Sequence, residues 1–210
     1  MRSGFINMTD DLFNTAESSY RIDLPEADLL LYPCFFNRAE ADDYLSELIE
    51  AAQWSQDTIQ IYGKQHLVPR LSAWYADGGK SYQYSGLELR GLPLLPVLKK
   101  IKQEVEKVSA VTFNSILANR YRNGSDSVGW HADDEPELGP EPIIASVSFG
   151  DERSFQLKHK TDKNLKQSFI LPHGSLLIMR GSTQEKWLHQ IPKSTKLLQE
   201  RINLTFRVIQ

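Results

Sequence analysis

The sequence predicts a mainly β protein with a smaller α component: an all-β sandwich or jelly roll, buttressed by two helices from the N-terminal half of the chain. Three observations carry this. Two stretches, about 41–52 and 93–108, repeat apolar side chains every three or four positions, the period of a helix that buries one face. After them come short apolar runs broken by turns at Asn123-Gly124, Gly139-Pro140, Gly150-Asp151, His173-Gly174 and Gly181-Ser182, with no helix expected between them. The last run, Arg201-Ile202-Asn203-Leu204-Thr205-Phe206-Arg207, alternates polar and apolar residues, as a strand with two different faces does.

In chain order, residues 1–28 are polar without a sustained period and read as an extended or partly ordered arm, with 29–210 as a single domain. Leu29 to Tyr32 is a short strand. Asn37 suits an N-cap, because Glu40 stands where its side chain can reach back to the cap. The helix that follows buries Ala41, Tyr44, Leu45, Leu48, Ile49 and Ala52. Thr58 to Tyr62, Gly63 to His66 and Leu67 to Leu71 read as strand, turn and strand, with bulky residues at the tip. Trp74 and Tyr75 read as core, Asp77 to Lys80 as a turn, and alternation then sets Tyr82 and Tyr84 on one face. The second helix, Pro93 to Val108, buries Val97, Ile101, Val105 and Val108 and presents mostly Lys and Glu elsewhere.

The length of 210 residues and 40% hydrophobic content suit one domain with a sizeable core. No apolar run is long enough for a membrane span, and the N-terminus has no signal-peptide character, so the expectation is an intracellular protein, cytoplasmic if bacterial and nuclear if eukaryotic. The single Cys34 is read as a small buried hydrophobe. A net charge of −3 argues against a broad non-specific nucleic-acid binder, although Lys158, Lys160, Lys163 and Lys166, and Lys193 with Lys196, form two local basic clusters.

The chemistry concentrates in two places. His131 and Asp133 are two apart, so on an extended strand both would leave the same face and could hold one ion. His189, 56 residues after Asp133, is the best candidate to complete a facial triad of two His and one carboxylate, which leaves positions open on a non-haem Fe(II). The second place is the terminal strand, whose Arg201, Asn203, Thr205 and Arg207 share a face. Two guanidiniums are costly to bury unless they meet an anion, and a dicarboxylate would satisfy them. A solvated edge strand with two surface arginines is the competing account.

Taken together, Asn119-x-Tyr121-x-x-Gly124, His131-x-Asp133, His189 and Arg201-x-Asn203-x-Thr205-x-Arg207 resemble, in order and spacing, the AlkB family of Fe(II)- and 2-oxoglutarate-dependent dioxygenases. Ile61-Tyr62-Gly63-Lys64, Val68-Pro69-Arg70, Tyr82-x-Tyr84-Ser85-Gly86 and the Asp134-Glu135 that follow the pair look closer to its duplex-DNA repair branch.

The resemblance implies a double-stranded β-helix with nucleotide-recognition hairpins at about 55–90. It implies Fe(II) on His131, Asp133 and His189, with 2-oxoglutarate and O2 as co-substrates. The far carboxylate of 2-oxoglutarate falls to Arg201, assisted by the Tyr121 hydroxyl, with Asn119, Asn203 and Arg207 near its other end and Thr205 on the same strand face. Tyr84 stacks on the damaged base, with Tyr82 and Ser85 beside it, while Ile61, Tyr62 and Gly63 form a wedge for duplex DNA; Tyr62 stands where the relative in mind has Phe. Arg70 is either near the lesion or phosphate, or on the surface. Glu135 either accepts from a base amino group or belongs to a solvated acidic turn. Trp130 and Trp187 are expected as core walls. His66, His159 and His173 are expected as non-ligands.

The activity so implied is DNA repair by oxidative demethylation of N1-methyladenine and N3-methylcytosine, releasing formaldehyde and succinate, by a monomer. The alternatives are the same chemistry on RNA, on a protein or on a small molecule, and a jelly-roll binding module without catalysis.

Overall fold

The computed structural model describes residues 18–61, 63–79, 81–84 and 87–210, with the backbone alone at 61, 64, 79, 81–84 and 87–90. Numbered along the chain, seven strands make a large sheet in the order β1 (Tyr20–Ile22), β2 (Asp28–Tyr32), β13 (Ser175–Arg180), β10 (Ile144–Gly150), β15 (Arg201–Arg207), β8 (Ser115–Tyr121) and β5 (Leu71–Ala76). A smaller sheet runs β12 (Lys166–Leu171), β11 (Arg153–His159), β14 (Trp187–Ile191) and β9 (Val128–His131). Pairing in both is antiparallel, as in a jelly roll. Two hairpins stand apart, β3 (Thr58–Ile61) with β4 (Lys64–Leu67) and β6 (Ser81–Tyr84) with β7 (Leu87–Arg90).

The large sheet is a middle layer with a core on each face. Ile202, Leu204 and Phe206 of β15 pack outward with Val147 and Leu176 against α1 (Arg38–Ala51) and α2 (Pro96–Ser109), which contribute Ala41, Leu48, Val97, Leu98, Ile101 and Val105. On the inner face, Leu117, Tyr121, Leu177 and Met179 meet Phe155, Leu157 and Ile191 of the small sheet. β15 is buried over its whole length, with neighbours on both sides, so the alternative of a solvated edge strand is discarded. Because both faces are covered, the polar side of the strand must find its partners inside the protein.

The first helix starts as expected. Asn37 Oδ1 accepts from the Glu40 backbone N–H at 3.0 Å, and Glu40 Oε2 accepts from the Asn37 N–H at 3.1 Å. The second starts at Pro96 rather than Pro93, since proline fits the first helical position and holds Leu95 extended before it. Leu98 takes a core place in that helix, and Val108 faces solvent. The first hairpin is tighter than expected: Ile61 pairs with Lys64, so Gly63 to His66 is not the turn, and β4 already begins at Lys64. Gly63, at φ +77°, takes the left-handed conformation that such a short connection requires. One further helical turn, α3 (Thr183–Lys186), interrupts the strand series where none was expected. Within the segment expected as an arm, β1 pairs with β2, and Trp187 Nε1 donates to Pro25 O at 2.9 Å. Trp187 is the core wall anticipated, whereas Trp130 is exposed on the outer side of β9, with the Lys158 ammonium 4.4 Å from its ring centroid.

Candidate active site

β9 and β14 are neighbours, and their register sets His131 directly opposite His189. The two ring centroids lie 4.3 Å apart. His131 Nδ1 is 2.8 Å from Gly129 O, and a carbonyl only accepts, so Nδ1 carries the proton and Nε2 keeps its lone pair. His189 is buried and stacks on Phe155 with centroids 5.3 Å apart. Burial, helped by the neighbouring His131, lowers its pKa to about 3, and burial lowers that of His131 as well. Both imidazoles are therefore neutral donors at physiological pH.

Asp133 arrives differently from the expectation. β9 ends at His131, so Asp133 does not share an extended strand with it but sits in the following bend. Its backbone N–H is donated to Gln184 Oε1 at 2.9 Å. The bend turns the carboxylate across to the large sheet, where Oδ1 accepts from Arg207 Nη2 and Oδ2 lies 3.9 Å from His189 Nε2. Burial raises the carboxyl pKa, but Arg207 and the two imidazoles outweigh it and hold the group below the ordinary carboxylate range. The carboxylate is thus shared between a cation and the imidazole pair. Among the described residues, no three such donors close on one point at ligating distance.

The same cavity is lined by Arg70, Asn119, Tyr121, Arg201, Asn203, Thr205 and Arg207, so the polar face of β15 and its β8 neighbours meet the imidazoles there. Arg201 is 1% exposed, and its Nη2 donates to Ser148 Oγ at 2.9 Å. Among the described residues its Nε and Nη1 make no close hydrogen bond, although the Tyr121 side chain lies near enough to favour the charged form. Burial lowers the guanidinium to about 10, with Tyr121 acting in the opposite sense, so it stays charged. Tyr121 offers its ring, 5.1 Å from the Arg201 guanidinium carbon. Asn203 is committed to Ser146 Oγ at 2.8 Å and Val147 O at 2.9 Å, and Thr205 Oγ1 donates to Asn203 Oδ1 at 3.2 Å. Arg70 is half-buried, and its Nε donates to Asn119 Oδ1 at 2.7 Å, which places it in the cavity wall rather than on the surface.

A model of the 2OG-Fe(II) oxygenase superfamily matches residues 28–207. The human DNA oxidative demethylase ALKBH2 is 43% identical over 188 residues, covering 85% of this chain and 72% of that protein. The Arabidopsis thaliana protein of the same name is 40% identical over 223 residues, 93% of this chain and 71% of its own. The chain belongs to the AlkB family of these oxygenases. Human alpha-ketoglutarate-dependent dioxygenase alkB homolog 3 is 43% identical over 188 residues, 85% of this chain and 65% of that one. A solved structure, "The structure of OsALKBH1", shares the fold with a TM-score of 0.60 at 16% identity, covering 91% of this chain and all of that one.

As an AlkB-family oxygenase, the protein works with Fe(II), 2-oxoglutarate and O2. By side-chain type the residues present suit those groups. Two neutral imidazoles and a carboxylate are a donor set suited to Fe(II) with open positions. The Nε–H and Nη1–H of a charged, buried Arg201, which make no close hydrogen bond, ask for an anion of the kind 2-oxoglutarate carries.

Glu135 is half-buried just after Asp133, at the start of a short 3-10 turn (Pro136–Leu138), and is not part of the cavity lining. Tyr82 and Tyr84 lie on β6 and Ile61 ends β3, but the placement of their side chains, and of Tyr62 and Ser85 altogether, lies outside the described residues. Of the histidines expected as non-ligands, His159 sits 3.3 Å from Glu26 and His173 3.2 Å from Asp42, both outside the cavity lining. Sequence reading missed Gln184, which holds the Asp133 backbone, and Ser148, which holds Arg201. Neither carries a motif, and their roles depend on segments 51 and 53 residues away in sequence.

Proposed function

We propose that the protein reverses N-alkylation of DNA bases, N1-methyladenine and N3-methylcytosine, by oxidative demethylation, in duplex as well as single-stranded DNA, acting as a monomer. The observation that carries this reading is the buried face of β15, whose Arg201 keeps two N–H groups without a close hydrogen bond in the cavity that holds His131, Asp133 and His189. Its similarity to relatives named DNA oxidative demethylases supplies the substrate class.

His131, His189 and the Asp133 carboxylate would hold the iron, with Gly129 O fixing the His131 tautomer and Gln184 fixing the Asp133 backbone. When bound, Fe(II) with 2-oxoglutarate and O2 supplies the oxidation of the N-methyl carbon, with succinate, CO2 and, from the unstable hydroxymethyl amine, formaldehyde as products. Arg201, steadied by Ser148 and Tyr121, takes the far carboxylate of the oxoacid, and Arg207 supplies positive charge beside Asp133. The inner core around Phe155, Ile191 and Met179 keeps water from the reacting end. Tyr84, with Tyr82 and Ser85, stacks and orients the base, Arg70 contacts the lesion or its phosphate, and Glu135 accepts from a base amino group. Ile61, Tyr62 and Gly63 form the wedge that fills the gap left by a flipped base.

The test is formaldehyde release from methylated oligonucleotides with Fe(II), 2-oxoglutarate and ascorbate, alongside His131→Ala and Tyr62→Ala. Release that needs every component, vanishes with His131→Ala and falls selectively on duplex substrate with Tyr62→Ala is expected. Succinate formation without release from DNA would retain the oxygenase and discard the substrate; equal losses on both strand forms would discard the wedge.

A further inference from the structure

Arg153, at the start of β11, is 3% exposed and lies outside the cavity lining. A guanidinium so deeply buried normally needs a carboxylate, because desolvation disfavours the charge. Among the described residues its hydrogen bonds go to three backbone carbonyls, Asn123 O at 3.3 Å, Asp126 O at 2.9 Å and Pro192 O at 2.6 Å, while the Asp126 and Asp151 carboxylates act on it through space. Asn123 and Asp126 belong to the loop that joins β8 to β9, and Pro192 begins the segment from β14 to β15. The four strands so joined carry Tyr121, His131, His189 and Arg201, with Tyr121 and Arg201 at the joined ends. The two loops also touch directly: Ser194 N–H donates to Gly124 O at 2.8 Å, and a Cβ on Gly124 would come within 2.6 Å of Ser194 O.

The Arg153 guanidinium carbon lies 5.6 Å from the centroid of the Tyr121 ring, and the same ring meets Arg201 at 5.1 Å. One phenol ring thus links a cation that faces the cavity to a second one outside it. We propose that Arg153 is a positioning residue for 2-oxoglutarate: it holds the Tyr121 ring against Arg201 and adds positive field to the pocket without touching the co-substrate. The proposal rests on the reading of Arg201 as the partner of the far carboxylate. A ring fixed from one side by Arg153 keeps Arg201 aimed while the site is empty, so less order must be gained on binding. Two like charges near one another in a dry environment are also relieved by an arriving dianion, which favours 2-oxoglutarate over a neutral ligand.

The experiment compares Arg153→Met and Arg153→Lys with the unaltered protein in steady-state assays that vary 2-oxoglutarate and oligonucleotide separately. Thermal shift by 2-oxoglutarate with Mn(II) gives a readout independent of turnover. Arg153→Met is expected to raise KM for 2-oxoglutarate about tenfold, roughly the scale of a buried cation–ring contact. It is expected to leave kcat and the oligonucleotide KM nearly unchanged and to shrink the ligand-induced thermal shift. Arg153→Lys, which keeps the charge, is expected to fall between the two, and it carries the test alone if Arg153→Met does not fold. Removing the ring with Tyr121→Ala should cut the effect of the Arg153 substitution on 2-oxoglutarate binding to the smaller part that its field supplies.

An unchanged 2-oxoglutarate KM in a folded Arg153 variant would overturn the proposal, as would an effect undiminished without the Tyr121 ring or spread equally over kcat and both KM values. Arg201→Met separates the two ideas. If it binds 2-oxoglutarate normally, the assignment of Arg201 is wrong; if it loses binding while the Arg153 variants do not, only the positioning role fails.

Discussion

Asp126 shows how single residues outside the cavity brace it. It is buried within the β8–β9 loop, and burial pushes its carboxyl pKa up. Arg122 outweighs that: its Nε, Nη2 and backbone N–H donate to the carboxylate at 2.8, 3.0 and 2.9 Å, and the net pKa lies below the ordinary 3.8. A carboxyl with a depressed folded-state pKa binds fewer protons folded than unfolded, so its stabilisation is present above the unfolded pKa and is lost as pH falls through the folded one. Asp126→Asn is therefore expected to cost about 1 kcal/mol near neutral pH, discounted because Arg122 is partly exposed, and to flatten the stability curve below about pH 4. Urea unfolding at several pH values checks it; an unchanged acid slope would remove Asp126 from the account. Residue types of the site were legible in this way too. His131, His189 and Arg201 stand out by chemistry, while Gln184 and Arg153 are ordinary surface types whose burial only the fold reveals.

Elements were legible where their signals are local. Asn37 and Glu40 mark the start of α1 because both halves of that cap lie within four residues. The end of α2 is less apparent, because Ala110 closes it in the left-handed region at φ 56°, where an L side chain is disfavoured. Ala110 is exposed, so Ala110→Gly is expected to stabilise the protein by about 0.5–1 kcal/mol by relieving that conformation. A rise in the urea midpoint with unchanged slope would bear this out, and a fall would mean that unfolded-state entropy dominates. Val108 was misplaced because its three-residue step from Val105 turns it off the buried stripe, which continues four residues on at Ser109. Asp133 was misplaced because a two-residue spacing carries no information on where a strand stops.

At the scale of the whole molecule, the two helices support the large sheet from the side away from the site. Ile101 of α2 is wholly buried in the outer core. Ile101→Ala is expected to destabilise by about 2–4 kcal/mol while leaving both KM values unchanged below the melting range. Calorimetry with steady-state kinetics checks it; an altered 2-oxoglutarate KM would show that the outer core reaches through β15 to the pocket. The fold class, two amphipathic helices, the alternation of β15 and the types of side chain that line the cavity were all determined by the sequence, since each follows from side-chain chemistry and short-range period. Tertiary structure alone decided that β15 is central rather than an edge, that register sets His131 against His189, and that the bend after β9 carries Asp133 to Arg207. These depend on which distant strands pair, and the energy of that pairing belongs to packed faces and buried polar partners rather than to any one stretch of chain.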